Sequence, residues 1–190
     1  MCSQMSSQAS FFNNLNFYRK LNCFWCFIGL LLCIYTLHVE YSIENQRNYQ
    51  PFCEINPNIN CSHVFMSKWS KSFGLLQDIL GEQHWLILPN PIFAIAFYLF
   101  QLVLCEFVNI KTAFLQLFLS ILANLATVWL AYILIQLSNV CLVCVSSYLV
   151  NLILLYIHIK KYCIFKNIKI VKSTIGTSFP SSSNYRNKRD

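Results

Sequence analysis

The chain has 190 residues, 56% of them hydrophobic and 11% charged, with a mean hydropathy of +0.49. An ordinary soluble domain carries roughly 25% charged residues, so the composition excludes that class and reads as a membrane protein of one domain. The net charge of +7 sits wholly in the tail, where eight Lys or Arg and one acid lie between Lys160 and Asp190. Such a tail is a topology signal and a contact for anionic lipid. Nucleic-acid binding is excluded, because no recognition motif surrounds the charge.

In chain order, residues 1–20 form a polar arm rich in Ser, Asn and Gln, expected to be disordered over 1–18. No small-residue cleavage site follows a short apolar core, so no removable signal peptide is expected. Four apolar segments follow, at about Leu21–His38, Pro91–Val108, Ala113–Leu137 and Val140–Ile159. Each approaches the roughly 20 residues a helix needs to span hydrocarbon. The fold class expected is an all-α membrane protein: a four-transmembrane-helix bundle over 21–160, with a loop at 39–90 and a basic tail at 161–190. Arg19 and Lys20, Lys111, and Lys160 and Lys161 fall on one side if the helices alternate. The positive-inside rule makes that side cytoplasmic, with both termini, and puts the loop on the other side. Within the loop, Phe65, Trp69, Phe73, Leu76 and Leu80 recur at three- and four-residue spacing. This predicts an amphipathic helix from Cys61 to Leu80, either an interfacial anchor or a cap on the bundle.

The chain has ten cysteines. Cys33, Cys105 and Cys163 read as small packing hydrophobes. Cys141-Leu142-Val143-Cys144 opens the last apolar segment. Zinc needs four ligands in closed geometry, and no partner pair stands at suitable spacing, so a redox dithiol is expected and no metal. Cys141, Cys144, Tyr148 and Asn151 step by three and four and share one helix face. Ser138 or Asn139 is placed to cap that helix, and the first-turn N–H groups favour a thiolate there. Cys53 and Cys61 form either a structural loop disulfide or a shuttle that recharges the membrane pair. Asn90, between Pro89 and Pro91, reads as a helix cap or as an amide donor to a bound oxygen. Phe93 and Phe97, one turn apart, wall an apolar pocket or pack on neighbours. Cys23-Phe24-Trp25-Cys26 is set aside as chance, having no matching pair at its end of the bundle. The Asn60-Cys61-Ser62 sequon is set aside too. The four histidines show no metal spacing.

The run Cys53…Cys61-Ser62-His63-Val64-Phe65…Trp69…Phe73-Gly74-Leu75 resembles the luminal loop of the vitamin K epoxide reductase family. Asn90-Pro91-Ile92-Phe93…Phe97-Tyr98 and Cys141-Leu142-Val143-Cys144…Tyr148 continue the likeness, which covers about Gly29 to Ile159. The resemblance implies a multi-pass protein of the endoplasmic reticulum membrane that reduces vitamin K 2,3-epoxide and vitamin K quinone. It implies Cys141 and Cys144 as the active pair, with Cys144 attacking the ring, and Asn90 and Tyr148 bonded to the substrate oxygens. It further implies Phe65, Trp69, Phe93, Phe97 and Leu130 as pocket lining. Cys53 and Cys61 would pass electrons from a thioredoxin-like luminal dithiol protein. The quinone is then a substrate, and no tightly bound cofactor is expected. Two other readings stand beside this one. One is a quinone-dependent thiol oxidase supporting disulfide formation in secretory proteins; the other is a four-helix scaffold with a structural loop disulfide.

Overall fold

The computed structural model describes residues 2–45, 51, 53, 61–74, 88–137 and 140–175. Among them all regular structure is helical. In chain order the elements are α1 (Cys2–Asn45), α2 (Cys61–Phe65), two 3-10 turns at Lys68–Ser70 and Ser72–Gly74, α3 (Asn90–Glu106), α4 (Ile110–Gln136) and α5 (Leu142–Ile175). The polar arm, expected to be disordered, is instead the first part of α1. Residues 2–18 contain neither Gly nor Pro, and extending an existing helix costs far less than nucleating one. For the same reason α5 runs beyond Ile159 into the basic tail, up to the residue before Gly176.

Among the described residues three helical stretches are long and apolar enough to cross a membrane: Asn13–Asn45, Ile110–Gln136 and Leu142–Ile168. The fourth apolar helix, α3, is shorter at 17 residues. Phe24, Phe27, Leu31 and Ile34 of α1 face outward, as do Leu125 and Val128 of α4 and Leu149 and Leu152 of α5. An apolar exterior of this extent suits lipid rather than water, and the chain is a multi-pass membrane protein.

Packing centres on α1, which lies against both α3 and α5, while α4 packs chiefly on α5. Cys26, Cys33, Tyr98, Val150, Leu154 and Ile157 form the apolar core between α1, α3 and α5. Gly29 lets the Tyr98 ring lie directly on the α1 backbone, because a Cβ there would collide with the ring. The attachment of α4 is different in kind: Gln116, Ser120 and Thr127 are among its few buried residues. The Gln101 and Gln116 amides each donate to the other's backbone carbonyl, at 3.2 Å. Lys161 Nζ donates to Gln116 Oε1 at 2.7 Å. Asn22 Oδ1 can only accept, so His158 Nε2–H donates to it at 2.9 Å and His158 Nδ1 accepts from the Ser120 hydroxyl.

The loop departs from the expected amphipathic helix. Among the described residues of the loop only Cys61–Phe65 is α-helical, and the two short 3-10 turns follow. Ser67 is extended and its hydroxyl donates to the Val64 carbonyl at 2.6 Å, closing α2. Lys71 is extended and forms an isolated bridge with Pro89, and the Ser72 N–H donates to Leu88 O at 2.9 Å. Pairing with the returning chain and local side-chain bonds thus outcompete helical bonds here. Residues 75–80 of the expected helix lie outside the described residues.

Gly29→Ala should drive the Tyr98 ring off α1 and destabilise the bundle by about 1–3 kcal/mol, the usual cost of overpacking. A thermal melt in mild detergent, wild type beside variant, measures it.

Candidate active site

The α5 helix begins at a cysteine. Cys141 lies just before Leu142, and its carbonyl accepts the first helical bond from the Val145 N–H at 3.0 Å. Its Sγ accepts the Cys144 N–H at 3.3 Å. Sulfur therefore occupies the place that an N-cap oxygen takes in most helices; the expected caps, Ser138 and Asn139, lie outside the described residues. The Cys144 thiol donates to the same Sγ at 2.6 Å. That bond above all, with help from the helix-start N–H groups, holds the Cys141 thiol below its ordinary range although burial opposes it.

Cys53 and Cys61 are joined as a disulfide, with Cα atoms 6.2 Å apart. Cys53, Cys61, Phe65, Cys141 and Val143 are buried in one cluster with Val39 of α1, and Cys144 packs against it. The loop pair and the membrane pair thus meet at one end of the bundle.

Beside this cluster opens a cavity of about 310 Å³. Phe65, Trp69 and Leu130 line it, with Phe93 and Phe97 of α3. Asn90, Cys144 and Tyr148 are among its polar lining, and Cys144 also packs against the cysteine cluster. Cys141, Cys53 and Cys61 do not line the cavity, so Cys144 is the member of the two cysteine pairs that a ligand there meets; Cys33 of α1 lines it as well. Trp69 of the cavity lining is backed by Trp129 of α4, the two rings meeting edge to face with centroids 6.3 Å apart. Gly74, at φ +70°, lies where any Cβ would strike the Trp69 indole. The floor is hydrogen-bonded. Tyr98 OH donates to Asn151 Oδ1 at 2.9 Å, and Asn151 Nδ2 donates to Thr127 Oγ1 at 3.0 Å.

A family model described as the vitamin K epoxide reductase family matches residues 21–159. The chain belongs to this family. Vitamin K epoxide reductase complex subunit 1 of Mus musculus is 40% identical over 79 residues, which are 42% of this chain and 49% of that protein. The Rattus norvegicus protein of the same name is 38% identical over 85 residues, 45% of this chain and 53% of its own length. The chain spans about half the length of the curated relatives it matches.

One expectation for this reductase-family site changes. Pro89, not Asn90, stands at the N-cap position; Asn90 is the first residue of α3, and its Nδ2 donates to the Trp69 carbonyl at 2.8 Å. The bridge at Lys71–Pro89 brings that carbonyl within reach, so the amide ties the loop to the bundle. Cys23-Phe24-Trp25-Cys26 was set aside as having no matching pair at its end; a single further cysteine stands there, with Cys23 Sγ 4.0 Å from Cys105 Sγ of α3. Tertiary packing of α1 on α3 brings these distant positions together. Glu40, Tyr98 and Thr36 also line the cavity and were not singled out. The available signal was spacing: Cys33, Thr36 and Glu40 step by three and four along α1 and share a face.

Asn90→Leu should leave the buried Trp69 carbonyl unpartnered by that amide and cost about 1–3 kcal/mol. Hydrogen exchange of the backbone over 61–74 should rise in the variant, while exchange within α4 stays unchanged.

Proposed function

We propose that this protein is a membrane thiol oxidoreductase that reduces vitamin K 2,3-epoxide and vitamin K quinone. The observation that carries the reading is the placement of Cys144 in the wall of a ring-sized apolar cavity, with Cys141, Cys53 and Cys61 in one buried cluster behind it. Family membership and the named relatives support it.

In this reading Cys144 adds to an activated ring carbon. The neighbouring Cys141 sulfur, only 2.6 Å away, accepts the Cys144 proton and then resolves the adduct by attacking Cys144 Sγ. Closing the Cys141–Cys144 disulfide releases two electrons and two protons. These convert quinone to hydroquinone, or epoxide to quinone and water. Asn90 and Tyr148 hold the substrate oxygens where negative charge develops, in a cavity from which water is largely excluded. Phe65, Trp69, Phe93, Phe97 and Leu130 grip the ring by apolar contact. Cys53 and Cys61 restore the membrane dithiol by exchange, drawing on a thioredoxin-like luminal dithiol protein. The proposed setting is the endoplasmic reticulum membrane, with four spanning helices that include α3, both termini cytoplasmic and the loop luminal. Residues 21–160 form the working domain, between the arm 1–20 and the basic tail 161–190.

The test is dithiothreitol-driven turnover of vitamin K epoxide in membranes, wild type beside Cys144→Ala. The wild type should turn over and the variant should fall to background. Quinone reduction with no epoxide turnover would favour the thiol-oxidase reading instead. Under the reductase reading Asn90→Ala should lower epoxide turnover by about 10-fold to 1,000-fold, the range for losing one donor to a developing oxyanion.

A further inference from the structure

We infer that Glu40 is the acid of the cavity: its carboxyl hydrogen-bonds a ring oxygen of the bound quinone and gives that oxygen a proton as the ring is reduced. The inference rests on the reductase reading above and assigns a residue which that reading leaves unused.

Glu40 lies near the end of α1 and is only 5% exposed. Neither Oε1 nor Oε2 has a partner within ordinary hydrogen-bond distance among the described residues; the Ser70 side chain and Lys71 are the groups close enough to act on the carboxyl. The obvious cation is already engaged, since Lys71 Nζ donates to Glu44 Oε1 at 2.8 Å. Yet Glu40 is part of the wall of the cavity that holds Cys144, Asn90 and Tyr148. A buried carboxyl so weakly partnered is costly, and native structures rarely keep one without a use. Both Glu40 and Ser70 line the cavity, so a polar atom of the ligand is the stronger partner the carboxyl lacks.

The chemistry of that atom follows from the ring. An oxidised quinone offers only acceptors, its two carbonyl oxygens. A carboxylate would meet them with lone pairs alone, whereas a carboxylic acid donates one O–H. The reduced ring offers O–H donors, which carboxyl oxygens accept. One carboxyl therefore suits the ring before and after reduction. The amide of Asn90 can hold an oxygen but has no proton to give at neutral pH. The step balances within the dithiol. As the Cys141–Cys144 disulfide closes, two electrons pass to the ring and the two thiol protons end on its oxygens. Glu40 gives its proton to the nearer oxygen and regains one from the dithiol. No further acid or reductant enters.

The test is the pH profile of dithiothreitol-driven vitamin K quinone reduction in membranes for wild type, Glu40→Gln, Glu40→Asp and Cys144→Ala. The groups that face Glu40 and titrate are Glu44 on α1, Lys71 of the loop, and Cys33, Cys144, Tyr98 and Tyr148 in the cavity wall. Glutamine keeps the shape and a donor but cannot transfer a proton. Glu40→Gln should keep KM within about threefold of wild type and lose about 100-fold or more in kcat, as for a missing general acid. The loss of rate that wild type shows toward high pH should flatten in Glu40→Gln and return in Glu40→Asp. Wild-type kcat and pH profile in Glu40→Gln would overturn the role of Glu40 and leave the reductase reading intact. A wild type that reduces no quinone, like Cys144→Ala, would overturn the reductase reading itself. If Glu40→Gln does not fold, infrared difference spectra of the wild type decide. Addition of vitamin K quinone should shift a carboxylic acid C=O stretch, and an unchanged carboxyl region would overturn the proposal.

Discussion

In a bilayer, apolar contact does not tell one helix face from another, because lipid tails are as apolar as leucine. Hydrogen bonds inside the bundle carry that choice, and the register of this protein depends on them. The Gln101–Gln116 exchange, the Lys161 bond to Gln116 and the Asn22–His158–Ser120 chain lock α1, α3, α4 and α5 at one level. Further along, Asn124 Nδ2 donates to the Asn151 backbone carbonyl at 3.1 Å and Asn151 reaches Thr127. Those bonds set α4 and α5 so that Leu130 and Tyr148 face one cavity. Slide α4 by a turn and the cavity wall is lost together with the bonds.

The loop is fastened to the bundle by several different ties at one end. The Cys53–Cys61 disulfide is buried beside Cys141, the Asn90 amide holds the Trp69 carbonyl, Lys71 bridges Pro89, and Trp69 stacks edge to face on Trp129. Two of these ties, the disulfide and Asn90, are residues to which the proposed chemistry assigns roles.

Much of the site was legible because it is local. The Cys141–Cys144 spacing is one helical turn, and its place at a helix start follows from the apolar run behind it. The aromatic positions of α3 follow from the same periodicity. The loop was less legible: the helical spacing from Phe65 to Leu80 is genuine in the sequence, yet Ser67 and Ser72 bond locally and the chain near Leu88 pairs with it. Asn90 was legible as important, but its donor had a target that no local pattern revealed, the carbonyl of a residue 21 positions earlier. Glu40 was not legible, since no local pattern says that α1 continues past it and turns it inward.

The sequence by itself determined the class of the protein, its apolar helices, the C-x-x-C pair at a helix start and the family likeness, because each is written in composition or in spacings of a few residues. Only the tertiary structure decided which polar groups meet. It set Cys23 against Cys105, His158 between Asn22 and Ser120, the loop disulfide against Cys141, and Glu40 into the cavity wall. These pairings join residues tens of positions apart, and they depend on helix rotation and depth. Rotation and depth come from the summed packing of the whole bundle, which no single segment encodes.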